Sequence, residues 1–158
     1  MNPSEVLLFA FLIGVVSGLR SLTAPAVVAW AAHKNWLNLQ DTLLSFMGSA
    51  LALVIFGLLA VVELVTDQLP STPSRLKPPG LIARILLGGL SGAAVGVAGG
   101  QSLALGAVLG AAGGIAGAFG GYQARTGLVR ALKAPDIVIA LLEDAVAIGG
   151  GLVLVSRF

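Results

Sequence analysis

The chain has 158 residues, 57% apolar and 10% charged, with a formal net charge of +2. Soluble domains carry about a quarter charged residues, so this composition belongs to an integral membrane protein, a single transmembrane domain over residues 1–158. The absence of cysteine excludes disulfides, thiolate metal sites and cysteine nucleophiles, and no basic face with interleaved aromatics offers nucleic acid a surface.

The only charge ahead of the first apolar run is Glu5, where a signal peptide carries Lys or Arg, so that run is expected to be retained. A helix needs roughly 20 residues to span the hydrocarbon core. On that ruler up to five spans are expected, at about 5–32, 43–66, 81–98, 103–123 and 136–155, as an all-α polytopic bundle. The first run is interrupted by Gly18-Leu-Arg-Ser-Leu-Thr-Ala-Pro25. It is either one kinked span or two shorter pieces forming a broken or re-entrant element. Irregular backbone at that depth survives only when buried in protein or lining a cavity, so both versions place a polar feature near Arg20. If the run is a straight helix starting at the cytoplasmic face, Arg20 meets the acidic residues below only through a break at Gly18 or Pro25.

The second span ends with Glu63 and Asp67, four apart on one helix face. A solvated helix end is the ordinary reading; the mouth of a polar path is the functional one. The connection Asp67–Gly80 holds Pro70, Pro73, Pro78 and Pro79 and is expected to be extended, because proline lacks the backbone donor a helix needs.

Spans three and four carry glycine every fourth residue: Gly88, Gly92, Gly96 and Gly100, then Gly106, Gly110 and Gly114, and Gly113, Gly117 and Gly121. Such faces let backbones approach closely, the packing of a glycine zipper. Lining a narrow cleft is the alternative. With so few internal surfaces, a homo-oligomer is expected, a dimer in the first instance.

The last span holds Glu143-Asp144 in an otherwise apolar run, about two turns or roughly 12 Å from its start. A charge within the bilayer costs several kcal/mol unless paired or wetted. Neighbours on a helix point roughly 100° apart, so one is expected to face a buried partner and the other a crevice or helix end. Arg20 offers a planar fork of five donors suited to a carboxylate or anion, with Glu63, Glu143 and Asp144 as partners in type.

Basic residues gather at two connections: Arg75, Lys77 and Arg84 at one, and Arg125, Arg130 and Lys133 at the other. By the positive-inside rule loops 67–80 and 123–135 are then cytoplasmic, with Trp30 and Trp36 in the outer aromatic belt and Tyr122 in the inner one. Glu63, Asp67, Glu143 and Asp144 are oxygen donors for a hard cation, but nothing in their spacing specifies a metal, and none is expected. No phosphate loop, metal-binding helix motif or catalytic triad order is present, so neither a cofactor nor enzyme activity is expected.

Two short matches raise an internal repeat, Leu12–Gly18 with Leu86–Gly92 and Ala60–Leu64 with Ala140–Asp144. Under five spans the first pair runs parallel and the second antiparallel, so no single symmetry covers both.

The stretches Gly18-Leu-Arg-Ser-Leu-Thr-Ala-Pro25, Val62-Glu-Leu-Val-Thr-Asp-Gln-Leu-Pro70 and Leu142-Glu-Asp-Ala-Val-Ala147 together resemble the bacterial membrane proteins grouped as domain-of-unknown-function family 4126. The resemblance implies a compact multi-span protein of the bacterial inner membrane and marks those residues; it implies no activity. The expected function is passage or binding of a small polar solute or ion at Arg20, Glu143 and Asp144, with Glu63 and Asp67 at the cytoplasmic mouth. The rival is a non-transporting scaffold or accessory subunit whose buried charges fix helix register.

Overall fold

A computed structural model describes residues 1–67, 76–133 and 135–158. Among them the chain is all-helical: α1 (Pro3–Leu19), α2 (Thr23–His33), a 3-10 turn (Ser45–Gly48), α3 (Ala50–Thr66), α4 (Pro78–Ala98), α5 (Leu103–Leu132) and α6 (Asp136–Val155). Local signals set the boundaries. The Ser49 and Ser102 hydroxyls accept from the Ala52 and Leu105 amides, both at 3.1 Å, and so cap α3 and α5. The two prolines assigned to an extended loop, Pro78 and Pro79, instead open α4, where the missing N–H is one the first turn leaves unpaired anyway. Pro70 and Pro73 lie outside the described residues.

The first apolar run is broken. Arg20 ends α1 in extended geometry (φ −138°, ψ 112°), and α2 begins three residues later with Pro25 in its first turn. The chain then doubles back. A Cβ built on Gly151 would sit 3.4 Å from a Val27 methyl and 3.7 Å from a Val16 methyl, so residues on both sides of Arg20 reach the same point of α6. A straight continuation would separate Val16 and Val27 by about 16 Å. The element is therefore re-entrant: α1 descends for about 25 Å and α2 climbs back for about 16 Å.

The other helices alternate in direction. Val6 of α1 lies against Gly99 at the end of α4, while Gly18 faces Gly114 and Gly117 of α5. The α1 N-terminus, the Gly99–Ser102 turn and the C-terminus share one end of the bundle, the last through a Phe9–Phe158 ring contact at 6.2 Å. Trp30 and Trp36, edge to face at 4.8 Å, lie toward this same end because α2 climbs to it. With that extra reversal α1 is antiparallel to α4, and α3 to α6. Both short sequence matches therefore relate antiparallel helices, a correction to the five-span reading. The packing does not follow that pairing, since the counterpart of the 30-residue α5 is the 11-residue α2.

Helices α1, α4 and α5 form a tight three-helix wall. A Cβ on Gly92 would meet the Gly106 carbonyl at 2.5 Å, and one on Gly88 the Gly110 carbonyl at 2.7 Å. The ridge of α1, Gly14 and Gly18, packs on the same helix: a Cβ on Gly18 would lie 2.5 Å from the Gly117 Cα. Gly96, Gly113, Gly114 and Gly121 are also buried in this wall. Gly100 departs from the expected series. It stands in the turn after α4 with φ +75° and open space around it, so its role is conformational.

Against the wall lies α2, buried on nearly every side, with α3 and α6 outside it. Two boundaries differ from expectation. α3 starts at Ala50 rather than 43, behind the Ser49 cap. α5 continues through the expected loop 123–135 to Leu132, about 45 Å in all, because Gln123–Leu132 holds good helix formers and no proline before Pro135. Three helices, α4, α5 and α6, are long and apolar enough to cross a membrane, and α1 and α3 are shorter apolar helices. Their outward faces expose Leu51, Leu58, Leu86, Val108, Leu142 and Val146. This is the surface of a membrane protein, apolar outside and charged within.

Candidate functional site

The turn between α1 and α2 leaves backbone groups without helical partners, and charged side chains from neighbouring helices take them up. The Glu63 carboxylate of α3 accepts from the Ser21 amide and the Leu22 amide, both at 2.8 Å, and from the Ser21 hydroxyl at 2.5 Å. It thus supplies the anion that the start of α2 lacks within its own sequence, at the positive end of the helix dipole. Arg84 of α4 treats the other half: its Nε donates to the Gly18 carbonyl at 3.1 Å, and its Nη1 to the Gly80 carbonyl at 3.1 Å. The Ser17 hydroxyl lies within 3.3 Å of the Ser21 and Arg84 carbonyls. The break is therefore sealed by protein, the condition for irregular backbone at that depth.

Arg20, fully buried, sits at the tip. Its Nε donates to Asp144 Oδ1 at 2.5 Å, and its Nη1 donates to Asp67 Oδ2. Carboxylates from α3 and α6 thus clamp one guanidinium, while Asp67 also lies 3.9 Å from Arg84 Nη2. The remaining terminal nitrogen, Nη2 of Arg20, has no hydrogen-bond partner among the described residues. A buried guanidinium donor without an acceptor is costly in a low-dielectric setting.

A second charged chain leads to this core. Arg125 of α5 makes a two-pronged contact with Asp136, at 2.9 and 2.5 Å, and its Nη1 lies 3.7 Å from Glu143 Oε2. Side-chain exposure falls along it, from 63% at Asp136 to 18% at Arg125 and 9% at Glu143, and reaches zero at Arg20. Glu143 and Asp144 diverge as the helix dictates, one toward Arg125 and the other toward Arg20.

All five charged residues expected at the site fall in this region. Arg20, Asp67 and Asp144 form its core, Glu143 stands on the approach, and Glu63 is displaced from its expected role. It is neither solvated nor at a mouth: it is buried and bonded to the turn. Asp67 likewise belongs to the core pair, with 20% of its side chain exposed. Sequence reasoning missed Arg84 and Arg125, read only as loop charges. The signal was present, since Arg84 continues the Gly88, Gly92, Gly96 ridge by one turn, and Arg125 continues Gly113, Gly117, Gly121. An arginine on a packed glycine face points inward. Among the described residues no three acidic or histidine side chains group as metal ligands.

Residues 7–156 match the family described as Domain of unknown function (DUF4126), nearly the whole chain. The chain belongs to that family. All the charged residues of the cluster and its approach lie inside the match. No curated protein and no solved structure matches this DUF4126 chain.

Proposed function

We propose that this membrane protein binds a small polar solute or ion at the Arg20 tip and passes it across the bilayer. The observation that carries the reading is the graded line of charge from exposed Asp136 through Arg125 and Glu143 to the buried Arg20 clamp. Structural ion pairs need no such approach, whereas a solute route needs polar groups at successive depths. Lys77, Arg130 and Lys133 stand at the end of the bundle where this line opens. The positive-inside rule makes that end cytoplasmic, so the site faces the cytoplasm.

The test is flux across proteoliposomes holding the wild-type protein or Asp144→Asn, Glu143→Gln or Arg20→Lys variants. Wild type is expected to raise the flux of at least one small polar probe, and the variants to lower it while remaining folded. A second reading has its own support: Glu63 and Arg84 place their donors and acceptors on the backbone of the break, as a scaffold would. Flux at the level of empty liposomes, with variants that only lose stability, would hand the function to that scaffold.

A further inference from the structure

We infer that the solute of this site is uncharged: a small polar molecule that both donates and accepts hydrogen bonds. The inference rests on the reading of the Arg20 tip as a solute site and adds the class of solute.

Charge balance is the first ground. The groups within ion-pair range of one another at the tip are Arg20, Arg84, Asp67 and Asp144, two cations and two anions. Glu63 is spent on the amides at the start of α2. An ion entering this neutral quartet meets no surplus countercharge to replace its lost hydration, and an ion bared in a low-dielectric site is very costly. A neutral solute pays far less to enter.

The second ground is the set of buried polar atoms the protein leaves without partners. They are Arg20 Nη2, the Thr23 hydroxyl and the Ser91 hydroxyl. All three residues are at least 97% buried. Such groups in folded proteins are met by water or by a ligand. Thr23 opens α2 three residues after Arg20. Ser91 lies two turns beyond Arg84 on the same face of α4, toward the opposite end of the bundle. The sequence of groups is therefore a guanidinium donor beside two carboxylate acceptors, then hydroxyls that do both, with no further charge. Hydroxyls bind amides, alcohols and water, and contribute little to a dehydrated ion. The α1–α4–α5 wall is closed by backbone contact, so the route runs on the α2 side, where these atoms are.

Stopped-flow light scattering of proteoliposomes holding the full chain, with urea and glycerol as probes, tests this against potassium and chloride flux in the same vesicles. Wild type is expected to speed urea or glycerol entry over empty liposomes and to leave both ion fluxes at the empty-liposome rate. Thr23→Val, which keeps shape and removes one unpartnered hydroxyl, is expected to slow that entry roughly tenfold, about the worth of one buried hydrogen bond. Its melting temperature should match wild type, because no protein group is bonded to that hydroxyl. Ser91→Ala is the second variant, with the same expectation. Potassium or chloride flux without urea or glycerol flux overturns the uncharged class and leaves the solute reading standing. Absence of flux for all four probes overturns both. Unchanged urea and glycerol entry in both hydroxyl variants overturns the route.

Discussion

Arg20 shows how a single residue can organise a membrane fold. A guanidinium at this depth is tolerable because two carboxylates meet it, and both come from helices distant in sequence. Removing one leaves an uncompensated charge. Asp144→Asn is therefore expected to cost about 3 kcal/mol, the lower end for a broken buried pair because Asp67 remains. Unfolding in mixed micelles, followed by the fluorescence of Trp30 and Trp36, would measure it. Glu63 makes a different prediction. Its carboxylate serves two amides, so Glu63→Ala should cost about 2–4 kcal/mol and speed hydrogen exchange at Ser21 and Leu22 above that of neighbouring α2 amides. Uniform exchange along α2 would show that the carboxylate does not hold the turn. Which residues matter was legible in the sequence, because charges inside apolar runs are conspicuous. Their roles were not: a carboxylate four residues from a helix end reads as solvated until a turn from another helix is laid upon it.

At the level of elements, the glycine ridges divide into those that face backbone and those that face outward. Gly18→Ala and Gly92→Ala would push a Cβ to about 2.5 Å from a neighbouring carbonyl oxygen. Backbone cannot swing aside as a side chain does, so each should destabilise by about 1–3 kcal/mol or more. Gly120 and Gly149 have nothing within 4 Å of that position, and alanine there should gain about 0.5–1 kcal/mol through helix propensity. Melting temperatures of the four variants in one detergent would separate the groups, and equal losses at Gly18 and Gly120 would refute the packing. The four-residue repeat announced close approach, but not that α1 joins it through Gly14 and Gly18. That required knowing that α1 runs parallel to α5, which no local pattern encodes.

The whole molecule has a topology that can be read without a map. The native chain has no cysteine, so single cysteines report cleanly. Asn2→Cys, Gln40→Cys and Ser156→Cys should label from one side of a sealed membrane, and Lys77→Cys and Lys133→Cys from the other. Gln40→Cys is the decisive position. Its labelling from the Lys77 side would mean that residues 5–32 cross once as a kinked span, and the re-entrant turn would fall. The same arrangement explains the polar tip, because a turn that stops within the bundle leaves backbone groups that charged side chains from α3 and α4 must satisfy.

By itself the sequence determined the class of molecule: an all-helical membrane protein, its apolar runs, its glycine faces and the charges set inside them. Those follow from composition and short-range periodicity, which act within a few residues. Tertiary structure decided the direction of α2, and with it everything long-range. Gly18-Leu-Arg-Ser-Leu-Thr-Ala-Pro25 is compatible with a kink or a reversal, since either ends one helix and starts another. The reversal is held by contacts 41 to 124 residues away, Glu63 on the turn and Asp144 on Arg20. Only the packed chain brings those groups together, so only the fold could show that the buried charges form one site.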